Sequence, residues 1–454
     1  MKKILAFGMA VAMAASMTAC GGNNATSGTG SDASSSAAAQ GDKSIYYLNF
    51  KPEIAPVYEE IAKAYKEETG ITLNVVTAAA NTYEQTLKSE IAKKDAPTIF
   101  QINGPRGYAS WKEYCADLKD TELYNHLTDK SLAITDGDGV YGIPYVVEGY
   151  GIIYNQAIMN AYFKTAGAKA ASMDEINNFD KLKAVVEDMS AKKDQLGIKG
   201  VFSSTSLKPG EDWRWQTHLA NLPIYYEFKN NNIDLTSDAT KEIAFQYSKN
   251  YKNIFDLYLD NSVTPKNLLG TKQVTDSMAE FALGQSAMVQ NGNWAWSQIA
   301  EVQGNTVKEE DIKFMPIYTG VEGEEAQGLC TGTENFLAIN KQASEEQQKL
   351  ANDFLYWLYS SKTGKDFVTN KLNFIAPFDT FADNEKPADP LAKEVLNWME
   401  KDGVTSVAWN FTVFPSQTFK NDFGAILLQY AQGTKTWEDV EKLVVSEWKT
   451  ESAQ

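Results

Sequence analysis

Histidine and cysteine are scarce in this sequence, and their scarcity argues against several kinds of chemistry. The 454 residues contain two histidines, His126 and His218, which lie far apart with no cysteine or second histidine nearby. A zinc site or a histidine-based catalytic centre needs such groups close together, so we expect each histidine to be structural or solvated, and we expect no metal and no cofactor. Cys115 and Cys330 follow no disulfide spacing, and we expect both to be reduced and buried.

An excess of positive charge is also absent. The chain has 59 acidic and 42 basic side chains, a net charge of −17 and a pI near 4.8. Such a protein repels phosphate backbones, so nucleic acid is not an expected partner. The composition, with 43% apolar and 12% aromatic residues, is that of a globular protein, and the length predicts two or three domains.

The N-terminus lacks an apolar run long enough to span a membrane permanently. Lys2 and Lys3 precede a short apolar run, Ile4 to Met17, and then Thr18-Ala19-Cys20. This pattern resembles a bacterial lipobox, although Met17 stands where leucine is more usual. We interpret residues 1–19 as a lipoprotein signal peptide and Cys20 as the lipidated residue; the alternative is an ordinary secretory signal with a chance cysteine. Residues 20–43, rich in Gly, Ser and Ala, are expected to be a flexible tether to a lipid anchor on the outer face of the cell membrane.

The body of the chain begins with alternating strands and helices. Strand patterns at 44–49, 71–77 and 98–102 alternate with helical patterns at 54–68 and 83–93. This order predicts an α/β fold with a largely parallel sheet, whose ligand crevice lies beyond the carboxyl ends of the strands. The polar residues at those ends are candidates for a binding site, although each also has a plain interpretation as a turn or helix cap: Asn49, Lys51, Tyr83, Glu84 and Asn103.

One carboxylate, Glu148, lies inside the apolar run from Val140 to Asn155. The Val, Ile, Tyr, Gly and Pro of this run predict buried strands with breaks. An unpaired buried carboxylate would cost several kcal/mol. Glu148 therefore needs a cation, several hydrogen bonds or a wet cleft, and we favour the cleft.

Two motifs resemble the maltose/maltodextrin-binding proteins of extracellular solute-binding family 1, the carbohydrate-binding components of ABC importers. The first motif combines Ile143-Pro144, Glu148 and Tyr154-Asn155. The second is the segment from Phe281 to Trp296. The register is consistent from Lys43 to Trp448. The resemblance implies a two-lobed, periplasmic-binding-protein-like fold of type II with three interlobe crossings. The N-terminal lobe would comprise 44–147 and 320–372, and the C-terminal lobe 148–319 and 373–454. The second crossing is expected at Asp311–Tyr318 and the third at Leu372–Pro377.

The same resemblance implies ligand-binding residues. Trp294 matches a sugar-stacking tryptophan, and the cluster Glu211, Asp212, Trp213, Arg214 and Trp215 matches a loop that presents an acid and aromatics. The plain alternatives are a capped helix start for the cluster and a core position for Trp294. A further stacking aromatic is expected near the C-terminus, at Phe414, Phe419 or Trp409, and Phe414 is the first choice.

Together these observations predict a monomeric binding protein and no enzyme. Aromatic rings would contact the C–H faces of a sugar, while charged and amide groups would bind its hydroxyls. The ligand would be an oligosaccharide, first an α-glucan such as a maltooligosaccharide and next a galactoside or β-linked oligosaccharide, and the partner an ABC permease. Gln101 stands where the family has a tryptophan platform, which argues against maltose itself. Two alternatives remain: a glycoside hydrolase using Glu148 or Glu211-Asp212, and a surface adhesin.

Overall fold

The computed structural model describes residues 43–79 and 82–453, and it has the predicted mixed α/β fold with two sheets. Cys20 and the tether to residue 42 lie outside the described residues, as does Asn81. The strands are Ser44–Asn49 (β1), Thr72–Thr77 (β2), Ile99–Asn103 (β3), Ile134–Asp136 (β4), Gly139–Pro144 (β5), Glu148–Asn155 (β6), Met288–Gly292 (β7), Ile312–Met315 (β8), Gln327–Gly332 (β9), Asn335–Ile339 (β10) and Thr405–Ala408 (β11).

The helices cover the faces of the two sheets. They are Ala55–Thr69 (α1), Tyr83–Glu90 (α2), Gly104–Trp111 (α3), Glu122–Asn125 (α4), Gln156–Phe163 (α5), Phe179–Ala191 (α6), Lys193–Leu196 (α7), Asn221–Asn230 (α8), Ser248–Asp260 (α9), Val274–Ala282 (α10), Ala295–Ala300 (α11), Glu345–Ser360 (α12), Lys362–Asn370 (α13), Pro390–Met399 (α14), Gln417–Ala431 (α15) and Trp437–Ser452 (α16). A π-helix spans Arg214–Leu219, and a 3-10 helix of one turn spans Phe411–Val413. None of the described helices is long and apolar enough to cross a membrane.

The first sheet has the strand order β2-β1-β3-β10-β5-β4. Strand β1 pairs in parallel with β2 and β3, as the alternating pattern predicts, and β10 returns antiparallel between β3 and β5. Side chains alternate between two apolar layers: Tyr47 and Leu337 face α1 and α12, while Phe100 and Phe336 face α2. This sheet and its helices form the N-terminal lobe.

The second sheet is built around β6. Strand β7 pairs antiparallel with one edge of β6, and β8 and β9 pair antiparallel with it as well, so that the order is β11-β9-β6-β7 with β8 on β6. Burial of every residue of β6 follows from this central position. Ile152 points to a core with α6, α9 and α15, and Ile153 points to a core with α10 and α14. This is the C-terminal lobe.

The chain passes between the sheets three times, but not everywhere at the predicted places. The first passage, at residues 145–147, falls where the sequence indicates. The predicted second crossing at Asp311–Tyr318 instead contains β8, which pairs with β6, and β9 also belongs to the second sheet. The passage lies at Thr333-Glu334, between β9 and β10. The region 320–332 therefore lies with the C-terminal lobe, because β9 pairs in the second sheet and only β10 pairs in the first.

The third passage runs from α13 to α14. Leu372, Phe374 and Phe378 still pack in the core of the N-terminal lobe, whereas Ile375 packs in that of the C-terminal lobe. The backbone N–H of Val147 donates to the Ile375 carbonyl at 2.8 Å, so the first and third passages lie side by side. The switch to the C-terminal lobe is thus completed later than residue 373, by the start of α14.

Candidate functional site

Two tryptophans lie on either side of β6 because glycines leave room for their rings. A Cβ atom at Gly292, on β7, would lie 2.2 Å from the Trp294 ring, and one at Gly332, on β9, would lie 2.7 Å from Cγ of Trp409. Any larger side chain would have to displace an indole. The two glycines therefore allow both rings to approach the backbone at the end of β6 that faces the N-terminal lobe.

His218 lies between these two tryptophans. Its ring stacks on Tyr150 of β6 with centroids 4.4 Å apart and an interplanar angle of 6°. The His218 centroid is 5.5 Å from that of Trp294 and 5.9 Å from that of Trp409. Two further rings contact it, at 4.7 Å and 5.1 Å, and complete what we call the aromatic floor: Tyr150, Trp213, His218, Trp294, Trp409 and Phe411.

His218 is held neutral in this position. Burial lowers its pKa well below the ordinary value, and the positive charges of Arg214, Lys51 and Lys420 lower it further. A neutral imidazole presents an uncharged face to its neighbours. The aromatic floor is therefore uncharged near neutral pH, and Trp213 and Trp294 are its partly exposed members.

A buried ion pair lies beside the floor. Lys51 Nζ donates to both carboxylate oxygens of Glu148, at 2.8 and 3.0 Å, and the residues are only 8% and 5% exposed. Burial alone would lower the pKa of Lys51, but the charges of Glu148 and of Glu53, 3.7 Å away, outweigh it and raise that pKa. The ammonium also lies 5.7 Å from the Trp294 ring centroid, within cation–π range. The pair joins the turn after β1 in the N-terminal lobe to the first residue of β6.

Asn291 orients two members of the site. Its Oδ1 accepts hydrogen bonds from Trp294 Nε1 and from Arg214 Nε, both at 3.0 Å. The Arg214 guanidinium in turn stacks 3.8 Å from the Trp213 ring centroid. Burial lowers the pKa of Arg214 to about 9, which leaves it charged at neutral pH.

Arg106 joins the lobes from α3. Its Nε donates to the Val413 carbonyl at 2.9 Å, Nη1 to the Pro415 carbonyl at 3.2 Å and Nη2 to Ser452 Oγ at 3.2 Å. Gly104, with φ of +60°, allows the start of α3 to approach Thr412, since a Cβ atom there would lie 2.8 Å from the threonine Cβ. The lobes are therefore in contact through α3 and the segment that follows Trp409.

Further charged groups face the space between the lobes. Burial raises the pKa of Glu334, in the second passage, and lowers that of Lys420 on α15, an effect that the negative charges of Glu334 and Glu84 partly oppose. Glu84, which is exposed, accepts a hydrogen bond from Trp111 Nε1 at 3.0 Å. Lys420 thus interacts with two carboxylates, and Arg106 adds a second positive charge to this group.

The structure brings together five of the residues predicted from sequence: Glu148, Lys51, Trp294, Trp213 and Arg214. Their contacts form one continuous group beside β6. Asn103 and Glu84 lie on the N-terminal lobe at the ends that face the other lobe.

Two other predicted residues, Trp215 and Phe414, pack within the C-terminal lobe. Trp215 is 2% exposed, packs on Phe255 and donates to the Ser206 carbonyl. Residues two apart on a helix point in different directions, so when Trp213 faces the cleft Trp215 enters the core. Phe414 likewise is buried against Trp448 with centroids 4.9 Å apart.

Three further predicted residues make hydrogen bonds within the protein, and their role in ligand binding stays a prediction. Glu211 accepts from the Val274 N–H at 2.7 Å and so binds the start of α10. The Tyr83 hydroxyl is buried and accepts from the Gln101 N–H at 2.6 Å. Asn49 Nδ2 donates to the Lys51 carbonyl at 2.8 Å, which stabilises the turn that carries Lys51.

Sequence reasoning missed His218, Tyr150, Asn291 and Phe411, and it left Trp409 open. Tyr150 follows Glu148 by two residues on a strand, so a shared face was a usable signal. His218 carried no such signal, because only the π-helix and the packing of distant rings place it on the floor.

The described residues contain no cluster of three or more His, Cys, Asp or Glu that could hold a metal ion, and Cys115 and Cys330 are free and buried.

Comparison with known proteins places this geometry in context. A family model described as bacterial extracellular solute-binding protein matches residues 60–394. The solute-binding protein RafE in complex with raffinose superposes with a TM-score of 0.67 at 19% identity, covering 90% of this chain and 99% of that one. A Bacillus licheniformis sugar transporter in complex with stachyose gives 0.62 at 17% identity, covering 90% and 99%. Maltose-bound MalE3 of T. maritima gives 0.64 at 17% identity, with the same coverage. At these identities the likeness establishes the fold.

Glu148→Gln is expected to destabilise the protein because it leaves the buried ammonium of Lys51 without its closest counter-charge. Breaking a buried pair costs about 3–5 kcal/mol, and Glu53 nearby favours the lower end. Urea unfolding measures the loss, and adding Lys51→Met should recover most of it. Lys442→Met, in the exposed pair with Glu438, is the control and should leave the midpoint unchanged. Equal stability of Glu148→Gln and the wild type would contradict a desolvated pair.

His218→Phe is expected to reduce acid lability. In the wild type the unfolded chain gains a proton at His218 below pH about 6.5 while the folded chain does not, so stability falls by up to about 1.4 kcal/mol per pH unit. Phenylalanine keeps the stacked ring and removes this proton. Unfolding free energies between pH 7 and 5 measure the difference in slope, with His126→Gln as the control at a part-exposed histidine. Parallel slopes for wild type and His218→Phe would show that the floor admits the charged imidazole.

Proposed function

We propose that this chain, which belongs to the bacterial extracellular solute-binding protein family, captures an oligosaccharide between its two lobes and delivers it to an ABC importer. The observation that carries the proposal is the aromatic floor lying beside the buried pair of Lys51 and Glu148. A sugar ring has C–H faces that pack on aromatic rings and hydroxyl edges that exchange hydrogen bonds with charged groups. The site supplies both surfaces next to each other.

The charges of the cleft favour a neutral ligand. Lys51 interacts with Glu148 and Glu53, Lys420 interacts with Glu334 and Glu84, and Arg214 and Arg106 add two further positive charges. An anionic or cationic ligand would disturb this balance, whereas a hydroxyl can donate to a carboxylate and accept from an ammonium. A neutral saccharide therefore fits with the least loss of electrostatic energy.

Among oligosaccharides, two classes are the candidates. A maltooligosaccharide or other α-glucan is the first, in keeping with the two sequence motifs around Glu148 and Trp294. A galactoside is the second, because two of the similar structures hold raffinose and stachyose. Gln101 in place of a tryptophan platform favours this second class over maltose.

Closure of the lobes around the ligand completes the proposed mechanism. Arg106 and the contact of Gly104 with Thr412 join the lobes directly. A ligand that touches both lobes binds the closed form better and so shifts the population toward it. The permease would recognise the closed form of a monomer.

Catalysis is not part of the proposal. A glycoside hydrolase needs two carboxyl groups that face each other across the scissile bond. Glu148 is engaged with Lys51, and Glu211 is engaged at the start of α10. We therefore assign Glu148 to binding.

The sugars to test first are maltotriose, raffinose, stachyose, xylotriose and chitotriose. Their binding is measured by tryptophan fluorescence and calorimetry. The ten tryptophans make a signal on binding expected. Trp294→Ala should weaken the best binder by about 10- to 100-fold, equivalent to about 1–3 kcal/mol, while the melting temperature changes little.

Trp296→Ala is the matched control for Trp294→Ala. Trp296 is two residues away and packs against the core on the other face of the second sheet. It should lower the melting temperature and leave sugar affinity unchanged. An unchanged affinity of Trp294→Ala would remove the aromatic floor as the binding surface, and release of smaller products from a bound glycan would favour a hydrolase.

We propose that acylation of Cys20 holds the protein on the outer face of the cell membrane. Cys20→Ser should abolish labelling by a clickable palmitate analogue and move the protein from the membrane fraction to the medium. Cys115→Ser, at a buried cysteine, is the control and should remain labelled. Continued labelling of Cys20→Ser would place the anchor elsewhere.

A further inference from the structure

Buried polar atoms without hydrogen-bond partners gather where the first sheet meets the C-terminal lobe. The described residues contain eleven buried side-chain nitrogen or oxygen atoms of this kind. Five of them lie in this one region: Gln101 Nε2, Asn103 Oδ1, Thr333 Oγ1, Asn335 Oδ1 and Trp409 Nε1. Such a concentration differs from the isolated examples in the lobe cores, such as the hydroxyl of Tyr258.

The backbone explains why these groups lie together. Asn103 ends β3 and Asn335 begins β10, and the two residues face each other directly in the antiparallel ladder. Their side chains therefore lie on the same face of the sheet, at the end nearest the second passage. Thr333 is in that passage itself, and the Trp409 ring covers the adjacent Gly332. The N-terminal lobe, the passage and the aromatic floor thus meet at these atoms.

Packing alone does not account for the polar side chains. On β10 the next residues on the same face, Leu337 and Ile339, are apolar and fill the core, whereas on β3 the next residue on that face is Gln101, another member of the polar set. Asn335 is 3% exposed, and its Oδ1 is buried without a hydrogen-bond partner in the protein. Burial of an unpaired polar group costs free energy, and an apolar residue of the same size would avoid that cost. The groups are suited to a partner that comes from outside the chain.

The chemistry of the set identifies the partner. Asn103 and Asn335 present acceptors, Trp409 and Gln101 present N–H donors, and the Thr333 hydroxyl can do both. A carboxylate or phosphate would satisfy the donors alone, and an ammonium the acceptors alone. A group of neighbouring hydroxyls satisfies both.

We infer that Asn103, Thr333 and Asn335 form a wall that determines specificity by binding the hydroxyl groups of the sugar unit next to Trp409. The inference rests on the proposed function, and it adds a second contact region to the one around Trp294. Through this wall the protein would distinguish sugars by the presence and position of individual hydroxyls, because a missing hydroxyl leaves a buried partner unpaired. The wall lies partly in the passage between the lobes, so a sugar bound there would contact both.

Asn335→Leu tests the inference with two opposite effects. Leucine has nearly the shape of asparagine and removes the unpaired oxygen, so the melting temperature of the unliganded variant should rise. The affinity for raffinose or maltotriose, whichever binds the wild type, should fall by about 10- to 100-fold in calorimetry. Thr333→Val, which replaces a hydroxyl by a methyl group, should change both quantities in the same directions.

Tyr258→Phe is the matched control, because it removes an equally buried and unpaired hydroxyl within the core of the C-terminal lobe. It should leave the affinity unchanged. Wild-type affinity of Asn335→Leu and Thr333→Val would overturn the wall while leaving the proposed function intact, and a lowered melting temperature in both would assign the groups a structural role. Absence of binding of every sugar in the panel to the wild type would overturn both proposals.

Discussion

The buried ion pair between Lys51 and Glu148 is the interaction on which the arrangement of the site depends. Glu148 begins the central strand of the second sheet, and Lys51 follows the first strand of the first sheet. Since neither charge can be left alone in so dry a place, the two lobes are held in a defined relation at this point. The pair also fixes the ammonium over Trp294, so the charged and aromatic parts of the site are positioned together.

The remainder of the site is carried by small residues and one amide. Gly292 and Gly332 let two indoles lie against the backbone beside β6, and Asn291 holds Trp294 and Arg214 with a single oxygen. Rings held in this way lose little side-chain entropy when a ligand binds, which makes a preorganised apolar surface. The neutral His218 at its centre keeps that surface free of charge.

The cleft therefore combines rigid and adjustable parts. The aromatic floor is built entirely within the C-terminal lobe, whereas the polar wall draws on the N-terminal lobe and the second passage. A ligand bound to both would hold the lobes together, and Arg106 on α3 adds direct contacts between the lobes. The proposed closure on ligand binding would use both parts of the site.

The sequence by itself determined the α/β class, β1 to β3 with α1 and α2 near their observed bounds, and the need of Glu148 for a partner. These properties follow from the spacing of apolar residues and from a charge within an apolar run, which are local features. Tertiary structure decided that the partner is Lys51, that Trp213 and not Trp215 faces the cleft, that His218 joins the floor, and that the second passage lies at Thr333-Glu334 and not at Asp311–Tyr318. The physical reason is that an apolar pattern reports burial without naming the partner, and the partner of each strand and ring is set by how distant segments pack.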